Sequence, residues 1–200
     1  QMEGARRREQ EVGEQLEGAR RESSDAAERF RRLQAERVRR FTAAFDRVSR
    51  GIDTVYKALT RTDEAPYGGQ AYLTLENVAE PFSGGVQYTA MPPTKRFQEI
   101  GLLSGGERTM AALALLFAIH GVRPSPFFVL DEVDAALDGA NVRQVVRYIR
   151  EQSGAVQFLV ISLKDALYSR ADALVGITRD PATKSSETYT FDLTSFADHE

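Results

Sequence analysis

Apolar residues keep one period over the first third of the chain and another over the rest. Val38, Phe41, Phe45, Val48, Ile52, Val55 and Leu59 follow one another at spacings of 3, 4, 3, 4, 3 and 4, which is the a/d stripe of a coiled coil. Upstream the seam thins to Leu16, Ala19, Ala26, Phe30 and Leu33, and the step from Leu33 to Val38 breaks its phase as a skip does. There is no proline before Pro66, and Arg, Glu, Gln and Ala dominate, so residues 1–61 are predicted to form one long helix. A lone helix with a 3.5-residue seam has nothing to bury it against, so its partner strand must come from elsewhere. Gly51 lies inside this helix, where it costs about 1 kcal/mol relative to alanine. A bend or a close approach would account for it.

Beyond Thr62-Asp63-Glu64-Ala65-Pro66 and Gly68-Gly69, strand-like and helix-like segments alternate over residues 62–200. Strands are expected at Ala71–Leu75 and Val86–Ala90, with a loop from Pro92 to Leu102. A helix follows from Glu107 to His120, ended by Gly121 and Pro124. Phe127–Leu130 is wholly apolar, as in a parallel strand covered on both faces. A helix at Asn141–Gln152, a strand at Val156–Ser162, a helix at Lys164–Ala171 and strands at Leu174–Thr178 and Thr188–Leu193 complete the order. The pattern predicts an α/β fold with a mainly parallel sheet flanked by helices. The domains are an arm at residues 1–61 and a head at 62–200.

Composition narrows the chemistry. Cysteine is absent and the only histidines are His120 and His199, which argues against disulfides and thiolate or histidine zinc sites. The longest apolar stretch, Ala111–Ile119, falls well short of the roughly 20 residues of a membrane span. With no secretory character at the start, a soluble intracellular protein without a membrane partner is expected. The net charge of −3 conceals a basic arm, with 15 Lys+Arg against 11 Asp+Glu in residues 1–61, and an acidic head, with 11 against 18. Arg37, Arg39, Arg40, Arg47 and Arg50 lie off the a/d seam and are candidate contacts to DNA phosphates. Solvated coiled-coil flanks explain them equally well.

Two motifs carry candidate chemistry. Leu103-Ser104-Gly105-Gly106-Glu107 opens a helix, and S-x-x-E in that place is a capping box. The same geometry also suits an anion, because two glycines allow close backbone approach and a helix N-terminus offers free N–H groups. Asp131-Glu132, 24 residues after Glu107, ends the apolar strand. Carboxylates at a strand's C-terminal end sit where α/β sheets bind ligands. There an aspartate can orient Mg²⁺ and a glutamate can take a proton from attacking water. A helix N-cap is the alternative account of the acidic pair, and Asp138 could equally cap the helix from Asn141. No phosphate-cradling G-x-x-x-x-G-K-[ST] loop occurs in the 200 residues.

The ordered set LSGGE, FFVLDE, DAALD and Gln157–Ser162 resembles the ABC-type ATPase heads of the structural-maintenance-of-chromosomes (SMC) family. Pro92-Pro93-Thr94-Lys95-Arg96-Phe97, Ala112–His120, Pro124–Phe128 and Tyr189–Thr194 bring the resemblance closest to the cohesin type, in its first SMC subunit, over about Arg37 to Ala197. The condensin type is the nearest alternative. The resemblance implies the C-terminal lobe of such a head, preceded by its returning coiled-coil arm. It implies Asp131 as the Walker B aspartate on Mg²⁺ and Glu132 as the base. Leu103, Ser104, Gly105, Gly106 and Glu107 become the signature loop facing ATP on a partner head, and Asp134 and Asp138 lie in the D-loop. Ser162 and Leu163 occupy the switch position, where transport ATPases carry histidine. The implied partners are the chain's own N-terminal head lobe with its Walker A loop, a second SMC head, the C-terminal winged-helix domain of a kleisin, and DNA. The implied activity is Mg-dependent ATP hydrolysis in the nucleus, on chromosomes, in sister-chromatid cohesion. The competing reading is a catalytically silent scaffold that docks a kleisin.

Overall fold

The computed structural model describes residues 2–93, 95 and 98–195; Thr94, Arg96, Phe97, His199 and the Ala197 end of the resemblance lie outside the described residues. The Arg- and Glu-rich, proline-free opening forms α1, Met2–Thr60. It passes through two compact units, Gln1–Asp46 with Leu75–Val86, and Arg47–Thr74 with Gln87–Glu200.

In the first unit the seam is largely open. Leu16, Phe30 and Leu33 are 50%, 66% and 70% exposed, whereas Phe41 and Phe45 are half-buried and stack at 6.3 Å. The Leu75–Val86 segment brings the Phe82 ring under the Arg37 guanidinium, 4.1 Å from the centroid. Glu36 accepts hydrogen bonds from Arg39 (2.8 Å) and Arg40 (2.6 Å), which hold its carboxyl down at about 2.

In the second unit the end of α1 becomes core, with Ile52, Tyr56 and Leu59 buried. A Cβ at Gly51 would lie 3.9 Å from Ala118 Cβ, an ordinary contact, so packing does not require a glycine there. Thr60 Oγ1 donates to Tyr56 O and accepts the Gly69 amide at 2.8 Å. Gly69 has no room for a side chain, since a Cβ there would stand 2.4 Å from Met91 O. Arg147 Nη2 donates to the carbonyls of Ala58 and Arg61 at 2.9 and 3.2 Å, satisfying acceptors that a helix end leaves open.

The strands form three small sheets: β1 (Gln70–Leu75), β2 (Val86–Met91) and β3 (Gln98–Glu99); β4 (Phe127–Asp131) and β5 (Gln157–Ile161); β6 (Ala173–Arg179) and β7 (Ser186–Asp192). Among the described residues β4 and β5 run parallel, whereas β2 with β3 and β6 with β7 run antiparallel. The expectation of a mainly parallel sheet is therefore corrected to an α/β fold with small sheets. The Pro92–Leu102 stretch is not all loop, since it holds β3 and a 3-10 turn at Ile100–Leu102.

Helix α2 (Gly105–Val122) runs through Gly121, contrary to expectation, and ends at Arg123, whose amide donates to Ile119 O. Helix α3 is Gly139–Gln152, while α4 is a single turn, Asp165–Tyr168. Met110, Leu113 and Phe117 of α2 and Val142, Val145 and Ile149 of α3 are buried in the core. Phe117 meets Phe128 and Phe158 edge-on at 5.5 and 6.2 Å and Tyr148 at 4.8 Å. Strand β4 is covered on that face alone. Alternation turns Phe127 and Val129 outward, 52% and 57% exposed, beside Leu159 and Ile161 at 46% and 54%. The predicted burial of both faces is thus not met within these residues. Among the described residues no helix is long and apolar enough to cross a membrane.

Candidate functional site

The last parallel pair joins Asp131 to Ile161, and by alternation Asp131 shares the open face with Phe127 and Val129. Glu132 is the next residue. Its amide donates to Ile161 O at 3.0 Å, its carbonyl accepts from Ala135 N at 3.1 Å, and its φ is +49°. A side-chain-bearing residue in this left-handed region costs about 1–3 kcal/mol and persists only where its neighbours enforce it. Both carboxylates are exposed rather than sealed in the core.

The glycine turn forms both halves of the capping box. Ser104 N donates to Glu107 Oε2 at 2.9 Å, and Glu107 N donates to Ser104 Oγ at 3.4 Å. Ser104 and Gly105 are exposed, whereas Leu103 is buried and anchors the turn. Gly106 lies against the acidic turn, since a Cβ there would sit 3.1 Å from Ala136 O and 3.8 Å from Asn141 Nδ2. The fold thus joins the two motifs through Gly106 and Ala136.

Lys95 pairs with Glu107 at 2.9 Å. Burial pushes the Glu107 carboxyl up, but the Lys95 ammonium and the Ser104 amide and hydroxyl outweigh it, leaving the group below its ordinary value. A depressed carboxylate stabilises the fold above the unfolded value of about 4.3 and loses that contribution as pH falls through the folded value. The protection of the amides at the start of α2, corrected for the intrinsic pH dependence of exchange, should therefore be flat from pH 7 to about 5 and fall in more acidic solution. Glu107→Gln should abolish that acid dependence.

The remaining candidates separate. Asp138 is the α3 N-cap, its Oδ1 accepting Asn141 N at 2.8 Å, as the capping alternative expects. Asp134 is buried and accepts Ser162 Oγ at 2.8 Å. Leu163 is 95% exposed. Arg37, Arg39 and Arg40 engage Phe82 and Glu36, and Arg47 and Arg50 are exposed in the second unit. Lys164 was invisible to pattern reading: its Nζ donates to the carbonyls of Asp134 and Leu137, both at 2.7 Å.

Residues 1–186 match the family model of the RecF/RecN/SMC N terminal domain. Structural maintenance of chromosomes protein 1 of Schizosaccharomyces pombe is 50% identical over 188 residues, covering 94% of this chain and 15% of that protein. The Caenorhabditis elegans protein of the same name is 46% identical over 197 residues, covering 98% of this chain and 15% of its own length. Protein 4 of Saccharomyces cerevisiae reaches 39% over 179 residues, 89% of this chain and 12% of that protein. The chain thus spans about 15% of the length of its first relatives.

Among solved structures, the Smc head with coiled coil and joint from Pyrococcus yayanosii aligns at TM-score 0.77 and 33% identity, covering 94% of this chain and 35% of that one. The Pyrococcus furiosus Smc head, bound to the C-terminal domain of ScpA, aligns at TM-score 0.71 and 37% identity, covering 82% and 39%.

The expected C-terminal lobe is overturned by the match to the N-terminal domain model over residues 1–186. With it falls the description of the chain as the C-terminal half of a cohesin-type head that supplies Walker B, signature motif and D-loop. That match runs through both Ser104 and Asp131-Glu132, so a glycine turn and a carboxylate pair do not in themselves assign a lobe. The long α1, the small α/β sheets and the matched 186 residues agree, and the chain belongs to the RecF/RecN/SMC family, in the head region of SMC ATPases.

Proposed function

We propose that the Asp131-Glu132 strand end serves ATP hydrolysis in an SMC head. The observation that carries this reading is the left-handed Glu132 backbone, held by Ile161 O at the end of a parallel strand with its side chain exposed. Water attacks the γ-phosphorus, the bond to the bridging oxygen breaks, ADP and phosphate leave, and Glu132 takes the water's proton.

Asp131 is the residue to hold Mg²⁺, which when bound neutralises phosphate charge. One exposed carboxylate suits this ion, which is commonly held by one or two carboxylates together with the phosphates. The lysine loop that grips the phosphates lies outside these 200 residues, and the apolar face of Phe127, Val129, Leu159 and Ile161 is where such an element would be covered.

Ser104, Gly105 and Gly106 face the nucleotide of a second SMC head, with Asp138 beside them. Head engagement follows ATP binding, and a kleisin winged-helix domain and DNA are the further partners. The exposed arginines from Arg37 to Arg50 are the DNA candidates. The relatives' shared name supports a chromosomal setting, and the nucleus is the compartment proposed with it.

The test is head engagement in the full-length chain with its partner head and kleisin. Ser104→Arg should reduce ATP-dependent engagement, read by cysteine crosslinking, at least tenfold by placing bulk at the nucleotide. Asp131→Asn should lower turnover and raise the Mg²⁺ concentration that it requires. Undiminished crosslinking in the first variant, or wild-type Mg²⁺ response in the second, would remove these assignments.

A further inference from the structure

A small polar cluster closes the far side of the acidic turn. Asp134 is only 4% exposed, and Ser162 Oγ donates to its Oδ2 at 2.8 Å while accepting the Lys164 amide at 3.0 Å. The Lys164 ammonium is directed at main chain, not at a carboxylate. It bridges the carbonyls of Asp134 and Leu137, both at 2.7 Å. Leu137 N in turn donates to Asp134 O at 3.0 Å, so that carbonyl accepts twice.

This turn begins at Glu132, whose φ of +49° is unfavourable for a residue with a side chain. Such a backbone survives only where its surroundings over-determine it. On the strand side the restraint is Ile161 O. On the other side the chain returns through Ala135 N to Glu132 O, and the segment immediately beyond is fastened by Lys164. The cation is therefore placed to hold the turn's path beyond β5.

We propose that Lys164 is a positioning residue for Glu132: by clamping the carbonyls of Asp134 and Leu137 it keeps the acidic turn in the conformation that aims the base. This role rests on the reading of Glu132 given above. An ångström of misplacement at a reacting group can cost about a hundredfold in rate, so loss of the clamp lowers turnover without weakening nucleotide binding.

The experiment uses the full-length chain in the assembled complex. Lys164→Met should lower kcat at least tenfold, leave KM for ATP within twofold, and speed hydrogen exchange at the Ala135 and Leu137 amides. Lys164→Arg, which can still reach two carbonyls, should recover at least half of kcat. A role in packing alone moves kcat and KM together and is not rescued by arginine; that pattern, or wild-type kcat in Lys164→Met, overturns the proposal. Glu132→Gln assayed in parallel separates the two layers. If it is inactive while Lys164→Met is fully active, only the clamp is wrong; if Glu132→Gln retains turnover, the reading of Glu132 is wrong. Should Lys164→Met not fold, Ser162→Ala removes the turn's other anchor and must show the same kcat loss, and wild-type kcat there equally overturns the proposal.

Discussion

Replacing Glu132 by glutamine in the assembled head should lower ATP turnover by a factor of about 10²–10⁴, the usual scale for removing a positioned general base. Glutamine keeps the size and the hydrogen-bonding reach of the side chain but cannot take a proton, so ATP binding and head engagement should stay near wild type. The backbone offers a second, independent arm. At φ +49° a glycine is at ease where glutamate is strained, so Glu132→Gly should raise stability by about 1 kcal/mol in urea unfolding while also losing turnover. A residue that opposes stability yet is needed for rate is what a functional constraint produces. Wild-type turnover in the glutamine variant would remove the base assignment. A destabilised glycine variant would show that the left-handed conformation is held by side-chain contacts rather than imposed on a reluctant residue.

How much of this was legible depended on the range of the interaction. Ile52 and Leu59 announce themselves as seam positions because a helix repeats its face locally, and both are buried. Ser104 and Glu107 form a cap within four residues, and that too is readable. Phe127–Leu130 declares a strand, but not which face is covered, because Phe128 meets Phe117 of α2 and Leu130 is buried while Phe127 and Val129 are exposed. Gly121 looks like a stop signal, yet α2 runs one residue beyond it, since nothing at that position requires a positive φ. The Gly106–Ala136 contact and the Lys164 clamp join residues about 30 positions apart and leave no local pattern. The lobe assignment failed for a different reason: it read two local motifs as a label for a whole region.

Phe117→Ala should be the most damaging single core change, lowering unfolding free energy by about 3–5 kcal/mol. The ring is 5% exposed and touches Phe128, Phe158 and Tyr148, so it ties α2 to α3 and to both strands of the parallel pair. Its loss leaves a cavity directly behind the strand that ends in Asp131, and close-packed neighbours relax only partly into such a space. Phe127→Ala provides the comparison within one strand. That ring is 52% exposed and the same truncation there should cost about 1 kcal/mol or less in this chain by itself. Urea unfolding of the two variants measures the difference. Equal losses would mean that the open face of β4 is already packed in solution, by a second copy or by a segment outside these residues. A large gap would mean that the face is free in the isolated chain and that the strand bearing the carboxylates is held from α2 and α3 alone.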